Sequence, residues 1–139
     1  MRKPIKVLLI EDNPADVRLT EEALNESGIP CQLHVVSDGV YALDHLRSPD
    51  AGRPDLILLD WNLPRMDGRE VLREIKQDES LRQIPVVVLT TSRAASDVSR
   101  AYDLHANCFI TKPVNVLQFF EVIRTVENFW LNTATLPGS

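Results

Sequence analysis

The chain alternates short apolar runs with amphipathic helical segments five times, and this alternation leaves few possible folds. A run of about four to eight apolar residues is typical of a strand that is buried on both faces. The predicted strands are Val7–Ile10, Gln32–Val36, Leu56–Leu59, Pro85–Leu89 and Cys108–Ile110. Because parallel strands need a crossover helix between them, these units predict an α/β fold, a doubly wound five-stranded parallel sheet with helices on both faces.

Local capping signals mark where the helices begin. Asn and Asp side chains bind the free N–H groups of a first helical turn, and Pro is favoured at the first helical position. Signals of this kind occur at Asn13-Pro14, Asp38, Asp67-Gly68 and Asn115. We expect the first helix to end at Gly28, the fourth to span about Ser96 to His105, and the last to run to about Trp130.

Length and charge exclude several classes of function. The chain has 139 residues, which suits one domain over residues 1–131 with a tail over 132–139, and we expect no output domain. A net charge of -5 without a basic patch argues against nucleic-acid binding. No apolar run approaches the roughly 18 residues of a membrane span, and Val7–Ile10 is too short for a signal peptide. We therefore expect a cytoplasmic protein that does not bind membranes.

Carboxylates follow the first and third predicted strands. Glu11 and Asp12 end the first strand, and Asp60 ends the third. Because ligands of open α/β sheets bind at the carboxyl ends of the strands, these groups should meet at one edge. Carboxylate oxygens suit Mg²⁺, which takes one or two of them directly and keeps several waters. We predict Asp12, Asp60 and the backbone carbonyl of Asn62 as direct ligands, with Glu11 acting through a water.

Thr90 and Lys112 follow the fourth and fifth strands and should join the same cluster. An ionised, positioned Asp60 is a nucleophile for phosphoryl transfer. Mg²⁺, Lys112 and the Thr90 hydroxyl would then neutralise the phosphoryl oxygens. Each residue could also be structural rather than functional. An Asp after a strand usually caps a loop, and Thr, being β-branched, is common in strands. Their occurrence together at four strand ends favours the chemical interpretation.

Four motifs together resemble the receiver domain of two-component response regulators: VLLIEDNP, DLILLDWNLPRMDG, VVVLTTS and ITKPV. The resemblance covers essentially residues 4 to 130, and it implies a flavodoxin-like (βα)5 fold with strand order 2-1-3-4-5. It further implies that Asp60 is the phosphoacceptor, that Thr90 and Phe109 are the switch residues, and that Lys112 precedes a cis proline, Pro113. Asn62 and Ser92 lie where the family tunes dephosphorylation.

The chain is most similar to one subgroup, the small response regulators of bacterial and cyanobacterial phytochromes. The segments that carry this similarity are SDGVYALDHLR, PVVVLTTSR, YDLHANCFITKP and ENFWLNTATLP. The resemblance implies a sensor histidine kinase, of phytochrome type, as the partner. It also implies a phosphoacceptor signalling protein rather than an enzyme, with only self-phosphotransfer and autodephosphorylation.

The apolar pattern of the last predicted helix indicates a surface for a partner. On a helical wheel its expected core face is formed by Val116, Phe119, Phe120, Ile123, Val126 and Trp130. Val122 and Phe129 widen this apolar surface, either to cover the sheet edge or to form a homodimer through helix four, strand five, helix five and the C-terminal aromatics.

The implied strand order puts Cys31 and Cys108 at opposite sheet edges, too far apart for a disulfide.

Other functions of an acidic strand end fit less well. A phosphohydrolase with an Asp nucleophile wants an acid two residues later, where Asn62 cannot donate a proton. A P-loop NTPase needs a Gly-rich phosphate cradle that the sequence lacks, and dinucleotide binding fails for the same reason. A pseudo-receiver acting as an adaptor would not need the complete acidic site.

Overall fold

The computed structural model describes residues 4–26, 30–50, 52–90, 95–113, 115–133 and 135–137. Within these residues the strands form one parallel sheet in the order β2-β1-β3-β4-β5, which confirms the predicted fold and topology. The strands are β1 (Ile5–Ile10), β2 (Cys31–Val36), β3 (Leu56–Asp60), β4 (Val86–Thr90) and β5 (Cys108–Thr111). The helices are α1 (Pro14–Glu26), α2 (Gly39–Arg47), α3 (Gly68–Gln77), α4 (Ala95–Asp103) and α5 (Val116–Glu127).

Side chains cap four of the helices as the sequence predicts. The Asp38 carboxylate accepts a hydrogen bond from the backbone N–H of Tyr41, and Asp67 accepts two at the start of α3. Asn13 and Asn115 cap α1 and α5 in the same way. Each cap satisfies helix N–H groups that would otherwise lack a partner, so local sequence fixes where these helices begin. The predicted end of α1 at Gly28 lies outside the described residues.

The sheet separates two hydrophobic layers. β3 and β4 are buried along their whole length, as expected of central strands in a parallel sheet. One layer packs α2, α3 and α4 against one face, and the other packs α1 and α5 against the opposite face. This arrangement fixes the strands rigidly, so the polar residues at their carboxyl ends have defined positions.

The start of α3 touches the carboxyl end of β3 closely. A Cβ atom on Gly68 would lie 2.5 Å from the Asp60 backbone oxygen and 2.7 Å from the Trp61 Cα. The Gly68 N–H donates to the Trp61 carbonyl at 2.9 Å. Only glycine fits here, and the contact holds the loop after Asp60 against α3.

The last helix differs from the prediction in two respects. α5 ends at Glu127, and the chain continues as a π-helical segment, Asn128–Thr133. Val116, the first residue of α5, is 57% exposed and does not belong to the core. Phe119, Ile123 and Val126 are buried as expected, while the other two residues of the predicted face, Phe120 and Trp130, are half-buried.

Two smaller predictions can also be compared with the structure. Cys31 and Cys108 are free thiols on the two edge strands, as predicted. Among the described residues, no helix is long and apolar enough to span a bilayer.

Candidate functional site

Three carboxylates meet at the carboxyl ends of β1 and β3, as the sequence predicts. Glu11, Asp12 and Asp60 each offer an oxygen atom, and these oxygens lie within 4.8 Å of one another. Glu11 and Asp60 are buried, whereas Asp12 is exposed. An all-oxygen donor set with one open side fits a hard divalent cation such as Mg²⁺, which keeps part of its water shell.

Lys112 is the cation of this cluster. Its ammonium contacts the Glu11 carboxylate directly and lies 2.8 Å from Asp16 and 3.9 Å from Asp60. Its backbone N–H donates to the Thr90 carbonyl at 2.6 Å, which ties the loop after β5 to β4. Asp16 was not predicted as a site residue, and the only sequence signal for it is an acidic residue in the first turn of α1.

Burial and close contacts shift the titration of this cluster. Burial, and after it a hydrogen bond with Asp60, raise the pKa of Glu11, while Lys112 opposes both effects; together they bring that pKa to about 7. Burial alone lowers the pKa of Lys112, but hydrogen bonds to Asp16 and Glu11 outweigh this and raise that pKa above its ordinary value. The lysine is therefore firmly charged, and the acids around it are crowded enough to gain from a second cation.

Asn62 and Thr90 line the side of the site next to Asp60. The Asn62 backbone N–H donates to the Asp60 carboxylate, and its side-chain amide donates to the Thr90 hydroxyl oxygen, each at 3.4 Å. Thr90 is fully buried at the end of β4. The structure thus brings Thr90 and Asn62 beside Asp60, while Ser92 lies outside the described residues.

Phe109 lies on β5 and packs partly buried against the α2, α3 and α4 layer. Its ring meets the Trp61 ring edge to face, with the centroids 6.1 Å apart. The Trp61 side chain is fully buried directly after Asp60, so the aromatic ring on β5 and the end of β3 are in contact. The sequence singled out Phe109, but it did not reveal this contact.

The predicted cis proline is wrong. Within the described residues there is no cis peptide bond, so the bond between Lys112 and Pro113 is trans. The trans form is the lower-energy isomer even before proline, by about 0.5–1 kcal/mol.

The sheet topology and the cluster of acids beside a buried lysine define the class of protein. Residues 7–124 match the response regulator receiver domain, and the chain belongs to that family. The chain is 48% identical to the response regulator Rcp1 of Synechocystis sp. (strain ATCC 27184 / PCC 6803 / Kazusa), over 98% of this chain and 95% of that protein.

Two solved structures are similar over nearly their whole length. One is the phosphorylated cyanobacterial phytochrome response regulator RcpA, with 52% identity and a TM-score of 0.95, covering 98% of this chain and all of that one. The other is the Mn²⁺-bound form of Rcp1, with 48% identity and a TM-score of 0.94, covering 97% of this chain and all of that one. Receiver domains are signalling proteins that bind Mg²⁺ or Mn²⁺ at an acidic pocket, and the cluster of Glu11, Asp12 and Asp60 could hold such an ion.

Proposed function

We propose that Asp60 accepts a phosphoryl group from a histidine of a sensor kinase. The observation that carries this proposal is the buried Lys112 ammonium, held among Glu11, Asp16 and Asp60 at the carboxyl ends of the strands. In the transfer, an Asp60 oxygen forms a bond to phosphorus while the phosphorus–nitrogen bond of the phosphohistidine breaks. The released imidazole keeps the electron pair and takes up a proton from solvent.

The residues around Asp60 prepare this step. Lys112 lies close enough to Asp60 to counter the charge of an incoming phosphoryl oxygen, and the rigid strand ends keep that distance fixed. Asp12 and Asp60 would bind Mg²⁺ directly, together with the Asn62 carbonyl, and Glu11 would act through a water. When bound, the ion supplies charge neutralisation for the phosphoryl oxygens.

We propose that Thr90 and Phe109 pass the phosphorylation state to the surface. The Thr90 hydroxyl would leave the Asn62 amide and turn toward the phosphoryl group, starting from its 3.4 Å contact. Phe109 would then move inward against Trp61, which it already touches. A shift of this kind would remodel the face of α4, β5 and α5, where a partner reads it.

The kinase partner is proposed to be of phytochrome type. The support is the similarity to Rcp1 and RcpA, of which RcpA is described as a phytochrome response regulator.

We further propose that the protein acts in the cytoplasm, where the free thiols Cys31 and Cys108 would stay reduced.

Small-molecule phosphorylation tests the assignment of Asp60. With acetyl phosphate and Mg²⁺, we expect the wild type to gain one acid-stable, base-labile phosphoryl group, measured by mass spectrometry. Asp60→Asn should gain none, and Asp103→Asn, an exposed aspartate on α4, should behave like the wild type. Unchanged labelling of Asp60→Asn would show that another residue is the phosphoacceptor.

We also propose a homodimer through the α4, β5 and α5 face. An apolar groove of about 560 Å³ runs between β5 and the end of α5, lined by Ile110, Val122, Phe129 and Trp130 among others. Phe129 is 53% exposed there and continues the apolar lining of the groove, so a partner that covers this face would remove a contiguous apolar surface from water.

Sedimentation velocity tests the dimer. We expect the wild type to dimerise at micromolar concentration and Phe129→Asp to be monomeric. Tyr41→Asp alters an equally exposed aromatic residue on α2, away from this face, and should leave the dimer intact. A wild-type monomer with and without phosphoryl groups would contradict the proposal.

A further inference from the structure

A second polar pocket lies away from the acid cluster. It has a volume of about 290 Å³ and lies beside the first halves of β1 and β2, on the face that α2 covers. Lys6 precedes Glu11 by five strand residues, or roughly 16 Å along the strand. The polar side chains among its described lining residues are those of Lys6, Gln32, His34 and His45. We call this the β2–α2 pocket, and its described lining contains hydrogen-bond donors but no carboxylate.

The two histidines form a stacked pair. The rings of His34 and His45 are 4.1 Å apart between centroids and nearly parallel, at 9°. Ring-nitrogen lone pairs lie in the ring planes, so in this arrangement both rings cannot point at one metal ion. Burial lowers the pKa of His45, and the neighbouring His34 lowers it further, so a neutral imidazole with one N–H donor is favoured. The pair therefore suits a ligand that accepts hydrogen bonds.

The Lys6 ammonium supplies the charge of the pocket. Gly52, in the left-handed region at φ 76°, brings the loop so near that a Cβ there would lie 3.1 Å from the Lys6 ammonium. The nearby Asp55 carboxylate instead accepts a hydrogen bond from the Lys6 backbone N–H at 2.9 Å. Among the described residues, no carboxylate lies within ion-pair distance of this ammonium.

Asp44 is a charged residue that lies near the histidines. It is next to His45 on α2 and lines a neighbouring concavity together with both histidines. Asp44 is not among the described lining residues of the β2–α2 pocket, which include one ammonium and two imidazoles.

We propose that the β2–α2 pocket binds a small oxyanion, a phosphate or carboxylate group, held by the Lys6 ammonium and the imidazoles of His34 and His45. A concave site with a lysine, two imidazoles and the Gln32 amide matches an anion with several acceptor oxygens. The ligand would link β1, β2 and α2, and the site does not depend on Asp60 being phosphorylated.

Histidine titration by NMR tests the proposal. The pKa values of the three histidines are measured without Mg²⁺ and at constant ionic strength. Three solutions are compared: sodium chloride alone, sodium chloride with inorganic phosphate, and sodium chloride with acetate. We expect a bound anion to raise the pKa values of His34 and His45 saturably, by roughly half a unit or more. The pKa of His105, an exposed residue in the turn after α4, should not change and serves as an internal control.

Variants of Lys6 separate a pocket from a general salt effect. Lys6→Gln should abolish the rise and Lys6→Arg should retain it, while Arg18→Gln, which removes an exposed charge on α1, should leave it unchanged. A response to phosphate alone, or to both anions, supports the proposal and identifies the ligand class. A response to neither, an equal response of all three histidines, or an unchanged response in Lys6→Gln would overturn it.

Discussion

At the scale of single residues, the site depends on close packing behind Asp60 as much as on the acids. Trp61 and Gly68 fix the backbone on either side of the loop, and a larger residue at 68 would meet backbone atoms that cannot move aside. A side chain can rotate out of a clash, but the end of a central strand cannot. Substitutions at such a position therefore affect the site and the fold together.

Gly68→Ala should destabilise the protein although alanine is the better helix former. The helix propensity of alanine is favourable by about 1 kcal/mol, but overpacking against fixed backbone costs about 1–3 kcal/mol. We expect a lower urea midpoint by circular dichroism and slower labelling of Asp60 by acetyl phosphate. Arg73→Ala, at an exposed position of the same helix, should change stability by less than about 0.5 kcal/mol. Equal stabilities of the two variants would contradict the argument.

Cys31 should react slowly with alkylating reagents while the protein is folded. Burial, and after it the charge of Glu127, raise the pKa of this thiol to about 11. Since the thiolate is the nucleophile, a thiol with a raised pKa is mostly protonated at about pH 8 and gains reactivity only as the pH rises toward its pKa. Iodoacetamide labelling followed by mass spectrometry should be at least about tenfold slower in the native protein than in urea at the same pH. Equal rates would show that Cys31 is ionised or unprotected in the fold.

At the scale of elements, a chain of contacts joins the end of β3 to α4. The Arg69 guanidinium lies over the Trp61 ring, 5.0 Å from its centroid, and forms a 2.7 Å ion pair with Asp97 on α4. Trp61 also touches Phe109 on β5. A change at the end of β3 therefore reaches α4 and β5 through side chains that are already in contact.

A double-mutant cycle on Arg69 and Asp97 should detect this link. We expect Arg69→Gln and Asp97→Asn to be non-additive by about 0.5–1 kcal/mol in urea unfolding, because both side chains are partly shielded from solvent. The pair Arg47 and Glu74, more exposed and joining α2 to α3, is the matched comparison and should couple more weakly. Strictly additive effects of Arg69→Gln and Asp97→Asn would mean that the ion pair does not hold α4.

At the scale of the whole molecule, local signals and long-range contacts were not equally predictable. The caps at Asp38 and Asp67 follow from neighbouring residues, and the acids at the strand ends follow from the parallel topology. The contacts of Lys112 with Asp16, and of Arg69 with Asp97, join distant segments and depend on how helices dock and which rotamers they adopt. Sequence periodicity carries no information on these, so they appeared only in the structure.

Mg²⁺ binding should stabilise the entire fold, because its proposed ligands Asp12 and Asp60 lie at the carboxyl ends of different strands and meet only when the sheet has formed. A ligand at about a hundred times its Kd adds about 2.7 kcal/mol to the free energy of unfolding. At constant ionic strength we expect Mg²⁺ to raise the melting temperature by several degrees, and EDTA to reverse the rise. Asp12→Asn should lose most of this response and Asp103→Asn should keep it. If Asp12→Asn responds like the wild type, the ion does not bind at the acid cluster.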